Sequence, residues 1–236
     1  MLTTEIPHNW LYPATLEEAA NSQRQMAQKV IVEDAFNPVV ERIVGTDASN
    51  APHDPEKQMF AVCVSLNYPT LKLLEFSHAQ AVAPLPYIPG FLGFREAPAL
   101  VEAFQKLKQK PDLILVDGHG ISHPRRLGIA SHLGVLLDCP AIGVAKSILV
   151  GKPEGEPGNI PGDSIPLVWK GETIGLVLRT RANVQPVYIS PGHRISMESA
   201  KEWVIRCLTG FKLPEPTRQA HKIANQVRRD SAQILV

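Results

Sequence analysis

The chain has 236 residues, 44% of them hydrophobic, which is long and apolar enough for one large domain with a buried core. Its 24 Lys and Arg residues nearly balance 23 Asp and Glu residues, and the formal net charge of +1 excludes a protein that holds nucleic acid through a globally basic surface. Any phosphate-bearing partner must therefore be bound locally. We expect a single domain spanning residues 1–236.

The cysteines indicate a reducing compartment. Cys63, Cys139 and Cys207 are odd in number and far apart, which argues against a disulfide framework and against a Cys-x-x-Cys zinc site. The N-terminal segment has no basic start followed by an apolar run, and the sequence has no apolar stretch of about 18 residues that would span a bilayer. We therefore expect a cytoplasmic protein with no membrane partner, and the sequence shows no obligate protein partner.

The first part of the chain predicts a helix followed by an antiparallel meander. Thr15 and Glu18 have the spacing of a capping box, and apolar residues then recur at roughly helical period, which predicts a helix from about 15 to 32. Three segments rich in Val, Leu and Phe follow, and turn-forming residues separate them: RIVGTDAS, MFAVCVSLNYP and LKLLEFSHAQAV. Their short connections favour antiparallel strands.

Helices and strands then alternate along the chain. The pattern predicts a helix in FREAPALVEAFQKLKQK, a strand in DLILVDG, a helix in RRLGIASHLGVLLD and a strand in PAIGVAK. Residues 153–164 are rich in Pro and Gly and predict a surface loop. Strands in ETIGLVLRT and PVYIS and helices around 196–209 and 214–229 complete the prediction. The fold class is α/β, with a mixed central sheet flanked by helices.

Three carboxylates are candidate metal ligands. Asp117 follows a fully apolar strand, and strand alternation places Asp47 on the same face as Ile43, so both carboxylates need a compensating cation if they are buried. Glu96 lies at the start of the helix after the loop PYIPGF. Carboxylates without soft ligands suit Mg²⁺ or Mn²⁺. Each also has a structural alternative, since strand-end aspartates often cap turns and a glutamate in a first helical turn favours the helix dipole.

The glycine turn after Asp117 carries several histidines. Asp117-Gly118-His119 matches the Asp-x-His start of dinuclear metallophosphoesterases, but the later Gly-Asp and Gly-Asn-His segments of those enzymes are missing from the sequence. A phosphoesterase acting on small phosphodiesters therefore stays an alternative. His119 and His123 equally fit a structural role in a tight turn. His132, on an otherwise apolar helix face, fits a core histidine.

Cations and a stiff aromatic loop indicate a phosphate-bearing partner. Arg125 and Arg126 are expected at a helix start, where they oppose the helix dipole and so favour an anionic ligand. Lys146 ends an apolar strand at its carboxyl end, although a solvated lysine is the commoner explanation. The segment PLPYIPGF has three prolines that restrict its backbone, so Tyr87 and Ile88 would be held out rigidly, as required for inserting between stacked bases.

Six segments together resemble the endonuclease V family, the deoxyinosine 3′-endonucleases of DNA repair. They are VGTDAS, PYIPGFLGFREAPAL, PDLILVDGHGISHPRRLGIASHLG, IGVAKS, PGHRIS and LPEPTRQAH, which cover most of residues 40–221. The resemblance implies a ribonuclease-H-like fold and hydrolysis of the second phosphodiester bond 3′ to a deaminated purine, leaving 3′-hydroxyl and 5′-phosphate ends. It implies Mg²⁺ as cofactor, with Mn²⁺ as a substitute. The implied partner is DNA containing deaminated bases, and inosine-containing RNA is a further one.

The resemblance also assigns roles to residues by motif position. Asp47, Asp117 and Glu96 would bind the metal, together with His221, a position where some family members have aspartate. Lys146 would contact the scissile region and complete the catalytic set.

The resemblance further implies a wedge and a base pocket. Tyr87 would fill the gap left by the displaced base, and the pocket would be built largely from backbone, which glycines allow to approach a base closely. The implied DNA-contacting residues are Tyr87, Ile88, Pro89, Gly90, Leu92, Gly118, His123, Arg125, Gly128 and Lys146. A catalytically silent nucleic-acid-binding module is a second alternative, against which the intact acidic set argues.

Overall fold

The computed structural model describes residues 6–50 and 57–234. In chain order it contains a 3-10 helix at His8–Trp10, α1 at Leu16–Ala27, β1 at Arg42–Asn50, β2 at Gln58–Asn67, β3 at Leu73–Val82, α2 at Leu92–Gln105, β4 at Leu113–Val116, α3 at Ile129–Leu137, β5 at Ala141–Ala145, β6 at Lys152–Pro153, β7 at Ser164–Trp169, β8 at Glu172–Leu178, β9 at Val187–His193, α4 at Met197–Arg206 and α5 at Glu215–Ile234. Within these ranges, no helix combines the length and the apolar character that crossing a membrane requires.

The strands form one nine-stranded sheet in the order β3-β2-β1-β4-β5-β9-β8-β7-β6. β1, β2 and β3 pair antiparallel, which confirms the predicted meander. β4 pairs parallel with β1 on one side and with β5 on the other, and β9 returns antiparallel to β5. The predicted α/β fold with a mixed sheet is therefore confirmed. β4 lies in the interior of the sheet, and helices cover both of its faces.

Strand alternation divides the core between the two faces of the sheet. Val44 and Ile114 pack in a cluster with residues of α1, α2 and α3, whereas Ile43 and Leu113 pack in a second cluster with residues of α4. α5 covers the same side as α4, over the apolar residues of β2. Ile43 is fully buried, so the predicted orientation of its strand is confirmed. Asp47, four residues on, points to the side that α5 covers.

Three local predictions were wrong. α1 has the predicted N-cap, since Thr15 Oγ1 accepts a hydrogen bond from Glu18 N at 3.1 Å, but it ends at Ala27 and not near 32. α3 begins at Ile129, so the arginines expected at its start lie in the preceding turn. The strand β7 lies where no element was predicted, and it contains Pro166, which cannot donate to a ladder. On its outer side β7 pairs only with the two-residue strand β6, so few backbone N–H groups of β7 are needed as donors there.

The turn that carries Arg125 and Arg126 has a backbone conformation that does not belong to a helix. Arg126 has a φ of 56° in the left-handed region, and Gly128 is the extended N-cap of α3. Both arginines therefore precede the helix, and their expected opposition to its dipole is wrong.

His132 is fully buried in α3, and its Nε2 donates to the Trp10 carbonyl at 2.7 Å. Its interpretation as a core histidine is confirmed.

Candidate active site

Parallel pairing brings two aspartates together at the carboxyl ends of β1 and β4. Thr46 pairs with Val116 in the ladder, so the next residue of each strand, Asp47 and Asp117, lies at the same edge. The Asp117 amide donates to the Thr46 carbonyl at 3.2 Å, which continues the strand direction. The two carboxylate side chains are only 11% and 12% exposed. Two partly buried carboxylates therefore lie side by side at a sheet edge.

A glycine in β1 lets α5 approach closely enough to add a histidine to this pair. A Cβ atom at Gly45 would lie 2.0 Å from the Pro216 carbonyl oxygen, so the start of α5 packs directly on the strand backbone. This contact places His221 beside Asp47, and the imidazole Nδ1 lies 2.7 Å from Asp47 Oδ2. Asp47, Asp117 and His221 each offer a ligand atom, and these atoms lie within 4.8 Å of one another.

Glu96 approaches the aspartates from α2 on the other side of the sheet. Burial, with a smaller contribution from the negative charges of Asp47 and Asp117, raises the pKa of the Glu96 carboxyl to about 8. It lies outside the group of mutually close ligand atoms. α2 begins at Leu92, so Glu96 is in the second turn and not the first. The helix-dipole explanation for this glutamate is therefore wrong.

The charges at this edge are unbalanced. Burial and the neighbouring Asp47 raise the pKa of Asp117, while Lys146 opposes the increase. The pKa of His221 is raised by its hydrogen bond to Asp47. Only one ammonium and one imidazole face the three carboxyl groups, so ionising all three would leave an excess of negative charge at the site. An oxygen-rich donor set with excess negative charge fits Mg²⁺ or Mn²⁺.

Lys146 joins this edge from the neighbouring strand. It directly follows β5, and its Nζ forms an ion pair with Asp117 Oδ2. Its side chain remains 41% exposed, so the ammonium is accessible to a ligand from solvent. The Lys146 ammonium therefore lies beside a carboxylate at this edge of the sheet.

A cavity of about 450 Å³ adjoins the carboxylates. Asp117 and Lys146 lie in its wall, so the cavity opens directly beside the sheet edge that carries the carboxylates of Asp47 and Asp117, the acidic edge. Its lining includes most of the residues predicted to contact DNA: Tyr87, Pro89, Gly90, Leu92, Gly118, His123, Gly128 and Lys146. Ile88 and Arg125 do not line it. The volume is typical of a small-ligand pocket and is large enough for a purine base.

The backbone amides of Gly118 and Gly128 are not available as donors in this cavity. The amides of Gly118 and Gly128 already donate within the protein, to Val144 O at 3.3 Å and Gly120 O at 2.9 Å. The N-termini of α2 and α3 border the cavity, and neither has a side-chain cap. Of the first amides of these helices, those of Phe94 and Ala130 are bonded to Phe91 O at 3.1 Å and His119 O at 2.9 Å. The amides of Leu92, Gly93 and Ile129, which have no intrahelical acceptor, are therefore the donors that these termini offer to the edge of a base.

The histidines of the glycine turn hold loops together. His119 Nε2 donates to Ser147 O at 2.9 Å and so ties the loop after β4 to the loop after β5. His123 Nε2 donates to Gly90 O at 3.0 Å, while its Nδ1 accepts from Arg125 N at 3.1 Å. Burial lowers the pKa of His123 to about 3, so its ring is neutral. These contacts support the structural interpretation of both rings.

The two arginines are also engaged within the protein. Arg125 Nη2 donates to Gly90 O at 2.7 Å, and the guanidinium lies 4.3 Å from the centre of the Phe91 ring. Arg126 forms an ion pair with Glu172 of β8. The charge of Arg126 is paired with a carboxylate, whereas the partners of Arg125 are neutral, and Arg125 holds the loop at Gly90.

Two supporting residues were missed in the sequence. Ser190 of β9 is fully buried, and its Oγ accepts from Gly120 N at 2.9 Å, which holds the glycine turn against the sheet. Gln23 of α1 is also buried, and its Nε2 donates to Gly90 O at 3.0 Å. The only sequence signal for Gln23 was its position as a polar residue on the apolar face of the predicted helix. This signal did not indicate that Gly90 is its partner.

Comparisons with known proteins identify the family. The model of the Endonuclease V family matches residues 24–222. Endonuclease V of Rhodospirillum centenum is 54% identical over 95% of this chain and 93% of its own length. The crystal structure of Endonuclease V from Streptomyces avermitilis is 36% identical, with a TM-score of 0.88 over 96% of this chain and 98% of that one. Endonuclease V of Ciona intestinalis, solved in complex with a 24mer DNA containing an inosine followed by a ribo-adenosine, is 27% identical, with a TM-score of 0.79 over 91% of this chain and 98% of that one. The chain therefore belongs to the endonuclease V family.

Proposed function

We propose that this nuclease recognises deoxyinosine in DNA and hydrolyses the second phosphodiester bond 3′ to the lesion, leaving 3′-hydroxyl and 5′-phosphate ends. One observation carries the proposal: the carboxylate edge and the purine-sized cavity share Asp117 and Lys146 in their walls. A base held in the cavity would therefore have its own strand running past the carboxylates. The inosine-containing DNA bound by the Ciona intestinalis relative supports the same substrate.

We infer that Asp47, Asp117, Glu96 and His221 bind Mg²⁺, with Mn²⁺ as a substitute. The bound ion would lower the pKa of the attacking water and neutralise charge on the leaving 3′ oxygen. Glu96 must lose the proton that its raised pKa retains at neutral pH before it can act as a ligand. The imidazole of His221 donates its Nδ1–H to Asp47, so that nitrogen must lose its proton before it can act as a ligand.

Lys146 contributes charge at the scissile phosphate. Its ammonium pairs with Asp117 here. With Asp117 acting as a metal ligand, the Lys146 ammonium would donate to a phosphate oxygen instead, where a positive charge stabilises the transition state more than the ground state. Lys146 and the four ligands are the proposed catalytic residues.

The loop after β3 supplies the wedge. The Tyr87 side chain is 67% exposed, between Pro86 and Pro89, and it borders the cavity. A rigid exposed aromatic can fill the space that a displaced base leaves in the stack. Displacement is easiest for a poorly paired base, which favours a deaminated purine over a normal one.

Inosine-containing RNA is a second candidate substrate, because the relative's bound strand has a ribonucleotide directly after the inosine. We also propose a single domain, since all nine strands join one sheet, and a cytoplasmic location, since the three cysteines are buried and free. No protein partner is needed for the proposed reaction. A dinuclear phosphoesterase is less well supported, because His119 is bonded to Ser147 and not placed with Asp117 as a ligand.

A nicking assay tests the proposal. The substrates are a labelled duplex with one deoxyinosine, its inosine-free control, the same sequence as RNA and a small phosphodiester, each with Mg²⁺ and with EDTA. We expect a Mg²⁺-dependent cut one nucleotide beyond the lesion's own 3′ linkage, and Asp117→Ala should abolish it while leaving DNA affinity largely intact. Nicking by that variant, or cleavage of the small phosphodiester without nicking of either nucleic acid, would refute the assignment.

A further inference from the structure

The wedge loop is anchored on each side of its exposed tip. The loop runs from residue 83 to residue 91, and Tyr87 is near its centre. On one side, Arg95 Nη1 donates to Leu85 O at 3.3 Å. On the other side, the Gly90 carbonyl receives hydrogen bonds from outside the loop. Side chains from outside the loop therefore hold two of its backbone carbonyls, one on each side of the tip.

Three side chains donate to the same carbonyl oxygen of Gly90. Gln23 Nε2 and His123 Nε2 both lie at 3.0 Å, and Arg125 Nη2 lies at 2.7 Å. A carbonyl oxygen has two lone pairs, so three donors from two separate parts of the chain exceed what the oxygen needs for satisfaction. Gly90 also has a φ of 81°, which L-residues rarely adopt. These bonds therefore fix one particular backbone conformation at the end of the loop.

Gln23 differs from the other two donors in its position and its second bond. It belongs to α1 and is only 1% exposed. Its Oε1 accepts a hydrogen bond from Arg125 Nε, so one buried amide holds both the Gly90 carbonyl and the guanidinium that also donates to it. Gln23 precedes the range matched by the family model, which begins at residue 24. The side chain links a peripheral helix to the wedge loop.

We propose that Gln23 is a positioning residue for lesion recognition, which acts by holding Gly90 and Arg125 so that the loop carrying Tyr87 has one conformation before DNA binds. The inference rests on the proposed function and names a residue of α1 that does not touch the substrate. A loop ordered in advance has less conformational entropy to lose on binding, so affinity for the lesion rises. Binding to normal DNA, in which no base is displaced, does not use the wedge and gains nothing.

Three variants separate positioning from packing. Gln23→Leu keeps the approximate volume and removes both hydrogen bonds. Gln23→Glu keeps an acceptor for Arg125 and removes the donor to Gly90, so it replaces the hydrogen bond to Arg125 with an ion pair and should stay folded even if the leucine variant does not. Ser22→Ala is the matched control, because Ser22 is the buried neighbour on α1 and its hydroxyl has no hydrogen-bond partner among the described residues.

The measured quantity is the ratio of dissociation constants for a normal duplex and a deoxyinosine duplex, by fluorescence anisotropy in EDTA. We expect both Gln23 variants to lower this ratio at least about fivefold through weaker lesion binding, since both lose the hydrogen bond to Gly90, which is worth ~1 kcal/mol. Affinity for normal duplex, and the ratio for Ser22→Ala, should match wild type. Hydrogen exchange should become faster in residues 83–91 of the Gln23 variants and stay unchanged in the carboxylate-bearing strands.

Two results would overturn the inference. One is a wild-type ratio in Gln23→Glu. The other is an equal loss of affinity for both duplexes, which would show a general structural role. A ratio near one in the wild-type protein would instead overturn the proposed function and the inference with it, and that result is recognised before any variant is measured.

Discussion

Replacing Glu96 with glutamine should stabilise the metal-free protein at alkaline pH. Burial and the charges of Asp47 and Asp117 raise the pKa of Glu96 from 4.5 to about 8. Between these values the folded chain holds a proton that the unfolded chain has released, so the free energy of unfolding falls as pH rises through that interval. Above the folded pKa the loss is complete. Glutamine cannot ionise, so Glu96→Gln lacks this loss.

The size of the effect follows from the same interval. The difference between 4.5 and about 8, at ~1.4 kcal/mol for each pH unit, sets an upper bound of about 5 kcal/mol. Because the Glu96 side chain keeps part of its surface exposed, water screens part of this cost. We therefore expect the variant to exceed the wild type by about 2 kcal/mol at about pH 9, and by far less at about pH 5.

Urea denaturation in EDTA measures the difference. The matched control is Glu102→Gln on the same helix, whose glutamate is 48% exposed and paired with Lys106, so it should gain no stability at high pH. The Glu96 variant should also lose the stabilisation that added Mg²⁺ gives the wild type, because a ligand has been removed. Parallel pH profiles for wild type and Glu96→Gln would refute the reasoning, since they would mean that the carboxyl is ionised without cost beside the two aspartates.

Three further predictions concern packing, the wedge and the buried histidine. Gly45→Ala should cost about 1–3 kcal/mol of unfolding free energy and slow nicking, because its Cβ would lie 2.0 Å from Pro216 O and displace α5 with His221; unchanged urea midpoints would contradict this. Tyr87→Ala should weaken binding to a deoxyinosine duplex roughly tenfold without changing thermal stability, since the side chain is 67% exposed; equal affinity in an anisotropy titration would remove the wedge role. His123 should stay neutral at every pH above its pKa of about 3, because burial and the neighbouring Arg125 charge lower that pKa, so its ring NMR shifts should be constant from about pH 5 to pH 8, and a titration within that range would show that the ring is not buried beside Arg125.

Features set by local pattern or by strand pairing could be predicted from the sequence. The meander and the buried strand β4 follow from apolar runs and turn residues, and the proximity of Asp47 to Asp117 follows from their positions after strands of one sheet. His221 entered the site only through the family resemblance. Its contact with Asp47 joins residues 174 positions apart and depends on the close approach of α5 at Gly45.

Contacts from side chains to distant backbone could not be predicted. Gln23 and Arg125 meet Gly90 across separations of 67 and 35 residues, and neither contact follows a helical or strand period. The same problem led to the wrong expectation for Arg125 and Arg126, because a left-handed φ at a non-glycine residue delays α3 and has no reliable sequence signal. Such residues are found only when the three-dimensional partners are known.

The end of the buried strand β4 holds the cavity and the carboxylates at a fixed distance from each other. Asp117 carries a carboxylate of the acidic edge and the adjacent Gly118 lines the cavity, so one peptide unit at the end of β4 joins the two places. β4 is buried along its whole length and paired on both sides, which makes it among the least deformable parts of the chain. The wedge loop, in contrast, depends on two anchored carbonyls. Changes in that loop therefore alter how tightly a lesion is held, whereas the position of the cut relative to the lesion is set by the sheet.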